Sequence, residues 1–166
     1  MSIAIRPAGP DDVAGVVEVF NGVIAERRYT AMAEPVTVAT EAAYMAGLGP
    51  RGVMFVAVVD GRIVGFQTLE PFAAFTTSMD HVGILGTQLV PDWRGRGVGL
   101  ALWEASTAFA REQGFEKILI YVRAGNAGAL RFYRKLGFRD IGVARRQVCI
   151  DGVYEDEVFL EHMLRD

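Results

Sequence analysis

Apolar residues recur along this chain in two rhythms, every three to four residues and every second residue or denser. The switches between them predict the order of helices and strands. Ser2 to Arg6 alternates as a short strand that Pro7 ends. Asp11 and Asp12 place negative charge where a helix begins, and Val13, Val16, Val17, Phe20, Val23 and Ile24 follow at helical spacing. A second helix is predicted over Val38 to Leu48, closed by Gly47, Gly49 and Pro50. Val53 to Val59 is an unbroken β-prone run, the pattern of a strand covered on both faces. Asp60-Gly61 and a returning run from Arg62 to Glu70 make it one arm of an antiparallel hairpin.

Pro71 to Asp80 reads as a loop of high apolar content, in which Phe72 and Phe75 are costly to expose unless the loop packs on something. His81 to Val90 is a strand that feeds a glycine-rich turn. Val98, Ala101, Leu102, Ala105, Ala108 and Phe109 then form one helical stripe ending at Gly114, and Lys117 to Val122 is a dense strand. Strand, helix and strand in this order favour a parallel pair with a right-handed crossover. Asn126 fits the cap of a further helix with Ala129, Leu130, Phe132, Tyr133 and Leu136 on its buried face. Gly137 falls at the left-handed position and Phe138 folds back onto that face. Phe138 to Ile150 and Val153 to Leu164 close the chain as two strands about Asp151-Gly152, and residues 1–166 are read as a single domain.

Chemistry concentrates in the turn Leu89-Val90-Pro91-Asp92-Trp93-Arg94-Gly95-Arg96-Gly97-Val98-Gly99. Three glycines at alternate positions free the backbone for positive φ and let successive N–H groups converge at the positive end of a helix, beside Arg94 and Arg96. Such a turn suits a phosphate or pyrophosphate. No Gly-Lys pair follows it, which excludes the phosphate loop of nucleotide hydrolases. Leu100 or Leu102 stands where the last glycine of a dinucleotide fingerprint belongs. A tight turn carrying two solvated arginines is the alternative reading.

Composition narrows the setting. Hydrophobic residues make up 51% of the chain and charged residues 22%, with a net charge of −3 and no basic block, so nucleic acid and membrane surfaces are not expected partners. With no leader segment and no spanning run, the expected location is cytoplasmic. Cys149 is the only cysteine, which excludes an internal disulfide and a cysteine metal cluster; its apolar-leaning neighbours predict a buried core residue.

Arg94-x-x-Gly97-x-Gly99 resembles the acyl-CoA pyrophosphate loop of the GNAT superfamily of N-acetyltransferases. The segment Asn126-x-x-Ala129-Leu130-x-Phe132-Tyr133-x-x-Leu136-Gly137-Phe138, about 30 residues on, is similar to a second segment of that superfamily. The resemblance covers nearly the whole chain. It implies an α/β fold with a mixed, mostly antiparallel sheet of about seven strands and helices on both faces. In that fold the strands before the glycine turn and before Asn126 begin parallel and splay apart to form the CoA cleft. The implied reaction is transfer of an acetyl group from acetyl-CoA, as co-substrate and without a metal, to an amine.

By the same resemblance, main-chain groups of Leu89 and Val90 pair with the pantetheine amides, and Arg94, Gly95, Arg96, Gly97, Val98 and Gly99 hold the pyrophosphate. Asn126 bonds the pantetheine arm or a linking group, and Phe132 lines the thiol end. Tyr133 is the acid that protonates the departing thiolate, a role compatible with its place in a helix core. Some relatives resembling phosphinothricin acetyltransferase carry a glutamate in the strand before the glycine turn. Here that strand has no carboxylate after Asp80, so Glu70, His81 or a bound-water relay are the candidate bases.

The acceptor ranked first is a small amine or amino acid, met by Arg28 and Tyr29 on one loop and by Phe72 and Phe75 on another. A protein N-terminus or lysine ranks second, and a non-catalytic acyl-CoA sensor is the reading from another class. The closing strands, with Val158, Phe159, Leu160 and Met163, could extend across a homodimer.

Overall fold

A computed structural model describes residues 2–165. Seven strands form one sheet in the order β1-β2-β3-β4-β5-β7-β6. They are β1 (Ala4–Pro7), β2 (Val53–Val59), β3 (Arg62–Pro71), β4 (Val82–Leu89), β5 (Lys117–Arg123), β6 (Arg139–Ile150) and β7 (Val153–Met163). Every neighbouring pair is antiparallel except β4 and β5. The helices are α1 (Val13–Ala25), α2 (Val38–Gly47), α3 (Val98–Glu112) and α4 (Ala127–Lys135). This is the mixed sheet with helices on both faces that the resemblance implies.

Both Asp-Gly pairs make two-residue turns. Asp60 and Gly61 have φ of 48° and 77°, and Asp151 and Gly152 have 52° and 77°. Two successive positive φ values match the turn to the twist of its strands. Along β2 the side chains alternate: Met54 and Val56 pack with Val16 and Val19 of α1, while Phe55, Ala57 and Val59 pack with Val98 and Leu102 of α3. A strand so covered has no polar face, which is why its sequence runs without a break. Further along, α3 and α4 cover Leu85, Ile118, Ile120, Val122, Val158 and Leu160 with Trp103, Ala110, Leu130 and Tyr133.

The α3 stripe is wider than its alanine pattern suggests. Trp103, Ser106, Thr107 and Ala110 are buried and Ala108 is exposed, because α3 bridges two core clusters and buries two sides. Cys149 is exposed, contrary to expectation: strand alternation turns Val148 and Ile150 inward and Cys149 out. β7 does not lie at an edge. It is held between β5 and β6 with Val158 and Leu160 in the core, so the free edge on that side belongs to β6.

Candidate functional site

β4 and β5 pair only over Val82–Ile84 and Lys117–Leu119. Val90 donates its N–H to the Val64 carbonyl and Phe72 donates to that of Val82, so the even-numbered residues of β4 are bonded to β3. Main-chain groups of Thr87 and Leu89 therefore face the β5 side, where pairing has ended. Val90 is a correction to the sequence reading: its N–H is given to Val64 and its carbonyl accepts from Trp93. The Val90 N–H is therefore not free for a pantetheine carbonyl, whereas the Thr87 main chain faces the gap.

Past this gap the chain makes its glycine turn. Gly95 and Gly97 have φ of 71° and 84°, and a Cβ on either would meet nothing within 4 Å. Gly97 caps α3 with no side-chain bond, and the first intrahelical N–H recorded is that of Ala101, bonded to the Gly97 carbonyl. Val98, Gly99 and Leu100 thus present N–H groups at the positive end of a 15-residue helix, above an open surface. That cradle fits a diphosphate. Gly99 differs from the other two glycines. It lies inside the helix, and a Cβ there would come within 3.2 Å of the Phe132 ring, so it serves close packing of α4 on α3 and not a positive φ.

Arg94 departs from its expected role. Nη1 and Nη2 donate to Glu26 at 2.8 and 2.5 Å, while Nε and Nη2 donate to the Leu89 carbonyl at 3.1 and 2.9 Å. Its guanidinium also stacks 4.4 Å from the centre of the Tyr29 ring. Arg94 thereby ties the turn to the end of α1 and occupies the Leu89 carbonyl, leaving the Leu89 N–H for the gap. Arg96 is exposed beside Trp93 and has no carboxylate partner among the described residues.

Asn126 caps α4 through Oδ1, which accepts from Ala129 at 3.2 Å, leaving Nδ2 as a donor. The helix ends as read: Gly137 has φ of 92°, Phe138 donates to the Tyr133 carbonyl, and the Phe138 and Tyr133 rings stand 5.3 Å apart. Tyr133 is buried, and its hydroxyl lies 2.7 Å from Thr87 Oγ1. Thr87 in turn accepts from Gln67 Nε2 at 2.8 Å, and Gln67 Oε1 is buried without a partner. Burial pushes the phenol up to about 12, while the Thr87 hydroxyl pulls it down. An acid held so far above neutral pH stays protonated through the physiological range and so is available as a donor when negative charge develops beside it.

The remaining candidates are not drawn together. Glu70 accepts from Tyr44 at 3.2 Å and stands opposite Ile84, at the paired end of β4 and three residues short of Thr87. His81 is exposed at the start of β4, and its carbonyl accepts from Glu116 and Lys117. Tyr29 lies against Arg94 near the end of β4, with the exposed Arg28 beside it. Phe72 and Phe75, 38% and 85% exposed, lie at the other end, since Phe72 bonds Val82. The eight residues of β4 separate these loops by about 23 Å, too far to wall one small pocket in a single chain.

Sequence reasoning overlooked an ionic cluster beyond the gap. Arg123 binds Glu155 through Nε and Nη2, and its Nη1 donates to the carbonyls of Arg27 and Thr30 at 2.8 and 3.1 Å. Arg27 is itself paired with Asp151 at 2.7 Å. The loop after α1 is therefore fastened to β5 and to the tip of the β6–β7 hairpin. No local signal marks these pairs, which join residues far apart in the chain. Among the described residues no group of three or more His, Cys, Asp or Glu is placed to hold a metal, and no helix is long and apolar enough to cross a membrane.

The model of the acetyltransferase (GNAT) family matches residues 19–138. An L-methionine sulfoximine/L-methionine sulfone acetyltransferase of Pseudomonas paraeruginosa is 27% identical over 147 residues, covering 86% of this chain and 83% of the relative. A GCN5-related N-acetyltransferase from Kribbella flavida superposes with a TM-score of 0.85 at 25% identity, over 97% of each chain. A phosphinothricin acetyltransferase from Sinorhizobium meliloti, solved with AcCoA, superposes with a TM-score of 0.91 at 20% identity, over 99% of this chain and 90% of that one.

Proposed function

Because the chain belongs to the GNAT acetyltransferase family, we propose that it transfers the acetyl group of acetyl-CoA to the primary amine of a small molecule or amino acid. The observation that carries this reading is the juxtaposition of an open N–H cradle at Gly97 with a strand gap that leads from it past Thr87 and Tyr133. When bound, acetyl-CoA supplies an activated acetyl thioester.

The residues of this chain do the rest. N–H groups of Val98, Gly99 and Leu100 hold the diphosphate, with Arg96 adding charge. Groups of Thr87 and Leu89 and the Asn126 amide meet the pantetheine arm, and Phe132 closes the helix side. Thr87 has one proton. Given to Tyr133, it leaves the phenol's own proton free for the departing sulfur and steadies the phenolate that follows. Arg28 is the cation near the end of α1 that no carboxylate engages among the described residues, and it suits the carboxylate of an amino acid acceptor.

Release of CoA thiol, followed with L-methionine sulfone, L-methionine sulfoximine, phosphinothricin and an N-terminal peptide, tests the reading. The small amines are expected to support turnover. A protein bound to CoA that releases no thiol with any of them is a sensor instead, and preference for the peptide moves it to the protein-modifying branch.

Thr87→Val, which keeps the shape and removes the hydroxyl, is expected to lower kcat about tenfold and leave the KM for acetyl-CoA nearly unchanged. An unaltered kcat would remove Thr87 from the proton path.

A further inference from the structure

We propose that Glu157 receives the protonated amine of the acceptor and takes its proton, so that β7 supplies the base that β4 lacks. This inference rests on the amine-acetylation reading above. Glu157 is 7% exposed, yet its carboxylate forms no hydrogen bond or ion pair with another described residue. It is also absent from the polar atoms sealed away from solvent without a partner, which are Gln67 Oε1, Ser106 Oγ and His162 Nδ1. A carboxylate that is nearly buried, unpaired and still reachable lacks a cation, and a ligand ammonium provides one.

Its neighbours supply no substitute. Arg123, directly opposite on β5, gives its guanidinium to Glu155 and to two loop carbonyls. Tyr121 on β5 brings a phenol, and Glu155 on β7 brings a second negative charge. On β6 the residue opposite is Ala144, after which the register breaks. Arg146 beyond the break stacks on Tyr154, 4.0 Å from the ring centre, and Arg27 of the loop is paired with Asp151. Burial raises the Glu157 carboxyl above the usual range, Arg123 opposes this and Glu155 adds to it.

Position agrees with the role. Val158 and Leu160 pack under α3 and α4 with Tyr133, so Glu157 projects from the opposite face. The β4–β5 register, carried past Ile84 and Leu119, sets Thr87 level with Val122 and Gln88 level with Arg123. Arg123 is paired with Glu157. Along the strands Glu157 and the Thr87 partner of Tyr133 thus differ by one residue, about 3.3 Å, while across the sheet Glu157 lies on β7, one strand beyond β5, and on the opposite face. Base and acid stand on the two sides of the place where the acyl carbon would lie.

Glu157 takes one proton from the ammonium, and the amine nitrogen forms the N–C bond as the C–S bond breaks. The sulfur takes the Tyr133 proton, the second nitrogen proton restores the phenol through water, and the proton on Glu157 passes to solvent. Amide, CoA thiol and one proton are the products.

Wild type and Glu157→Gln are compared for thiol release between about pH 5 and 9 with L-methionine sulfone and n-butylamine, and for calorimetric binding of both amines to the CoA-saturated protein. The variant is expected to lose about 100-fold in kcat/KM for the amine, to lose the acidic limb of the profile, and to bind CoA as wild type does. Retained kcat/KM with the same limb, or a loss matched by lost CoA affinity, overturns the assignment. If wild type releases no thiol, the acetylation reading falls and binding still decides. Weaker amine binding by the variant supports the ammonium site; equal binding, or none to wild type, overturns it.

Discussion

Tyr133→Phe is expected to lower kcat by about 10²- to 10⁴-fold while the affinity for acetyl-CoA stays within about twofold, because the change removes one proton from a site whose shape it keeps. The ring remains packed against Phe132 and Phe138, at 5.1 and 5.3 Å. What the fold loses is the bond to Thr87, worth about 1–3 kcal/mol when the partner is left buried. A fall in thermal stability alone therefore does not imitate the kinetic effect. In wild type the phenol lies at about 12, so the alkaline side of the kcat profile should show no loss of the acid below about pH 10. Turnover by the variant at the wild-type rate across this range would leave Tyr133 as a core aromatic only.

Gly97→Val is expected to weaken CoA binding by about 100-fold or more, close to 2.7 kcal/mol. With φ at 84°, a β-branched residue there costs about 1–3 kcal/mol of backbone strain. Its Cβ projects into space where no heavy atom lies within 4 Å, the side from which phosphate oxygens would reach Val98 and Gly99. Damage to the cradle can be separated from damage to the fold with S-acetylpantetheine, which has no diphosphate. Wild type and variant should use that fragment alike, and equal CoA affinity in the two would refute the phosphate assignment.

The features read correctly from sequence are those fixed by chemistry within a few residues. Asp60-Gly61 and Asp151-Gly152 need two positive φ values and so announce their turns. Asn126, Gly137 and Phe138 cap one helix at both ends. The splayed pair entered with the resemblance, and its geometry could not come from periodicity. Errors arose where a side chain or backbone group answers to a distant partner. Glu26 claims Arg94 from 68 residues away, and Val64 claims the Val90 N–H. Gly99 resembles its neighbours in sequence, but the ring that needs its missing side chain belongs to α4. Glu157 lies in an acidic, hydrophobic strand that carries no motif, and only the commitment of Arg123 elsewhere reveals it as unpaired.

The tie from Arg27 to Asp151 spans 124 positions, and the Arg123 bonds to the same loop span 96 and 93. During synthesis the early residues leave the ribosome long before their anchors exist. Arg94 and Arg123 can hold the loop bearing Arg28 once β5 has emerged, whereas its tie to Asp151 waits for the final hairpin, whose β7 also completes the core under α3 and α4. The acceptor side, with Asp151 and Glu157 both in that hairpin, is therefore the last part of the proposed site to mature.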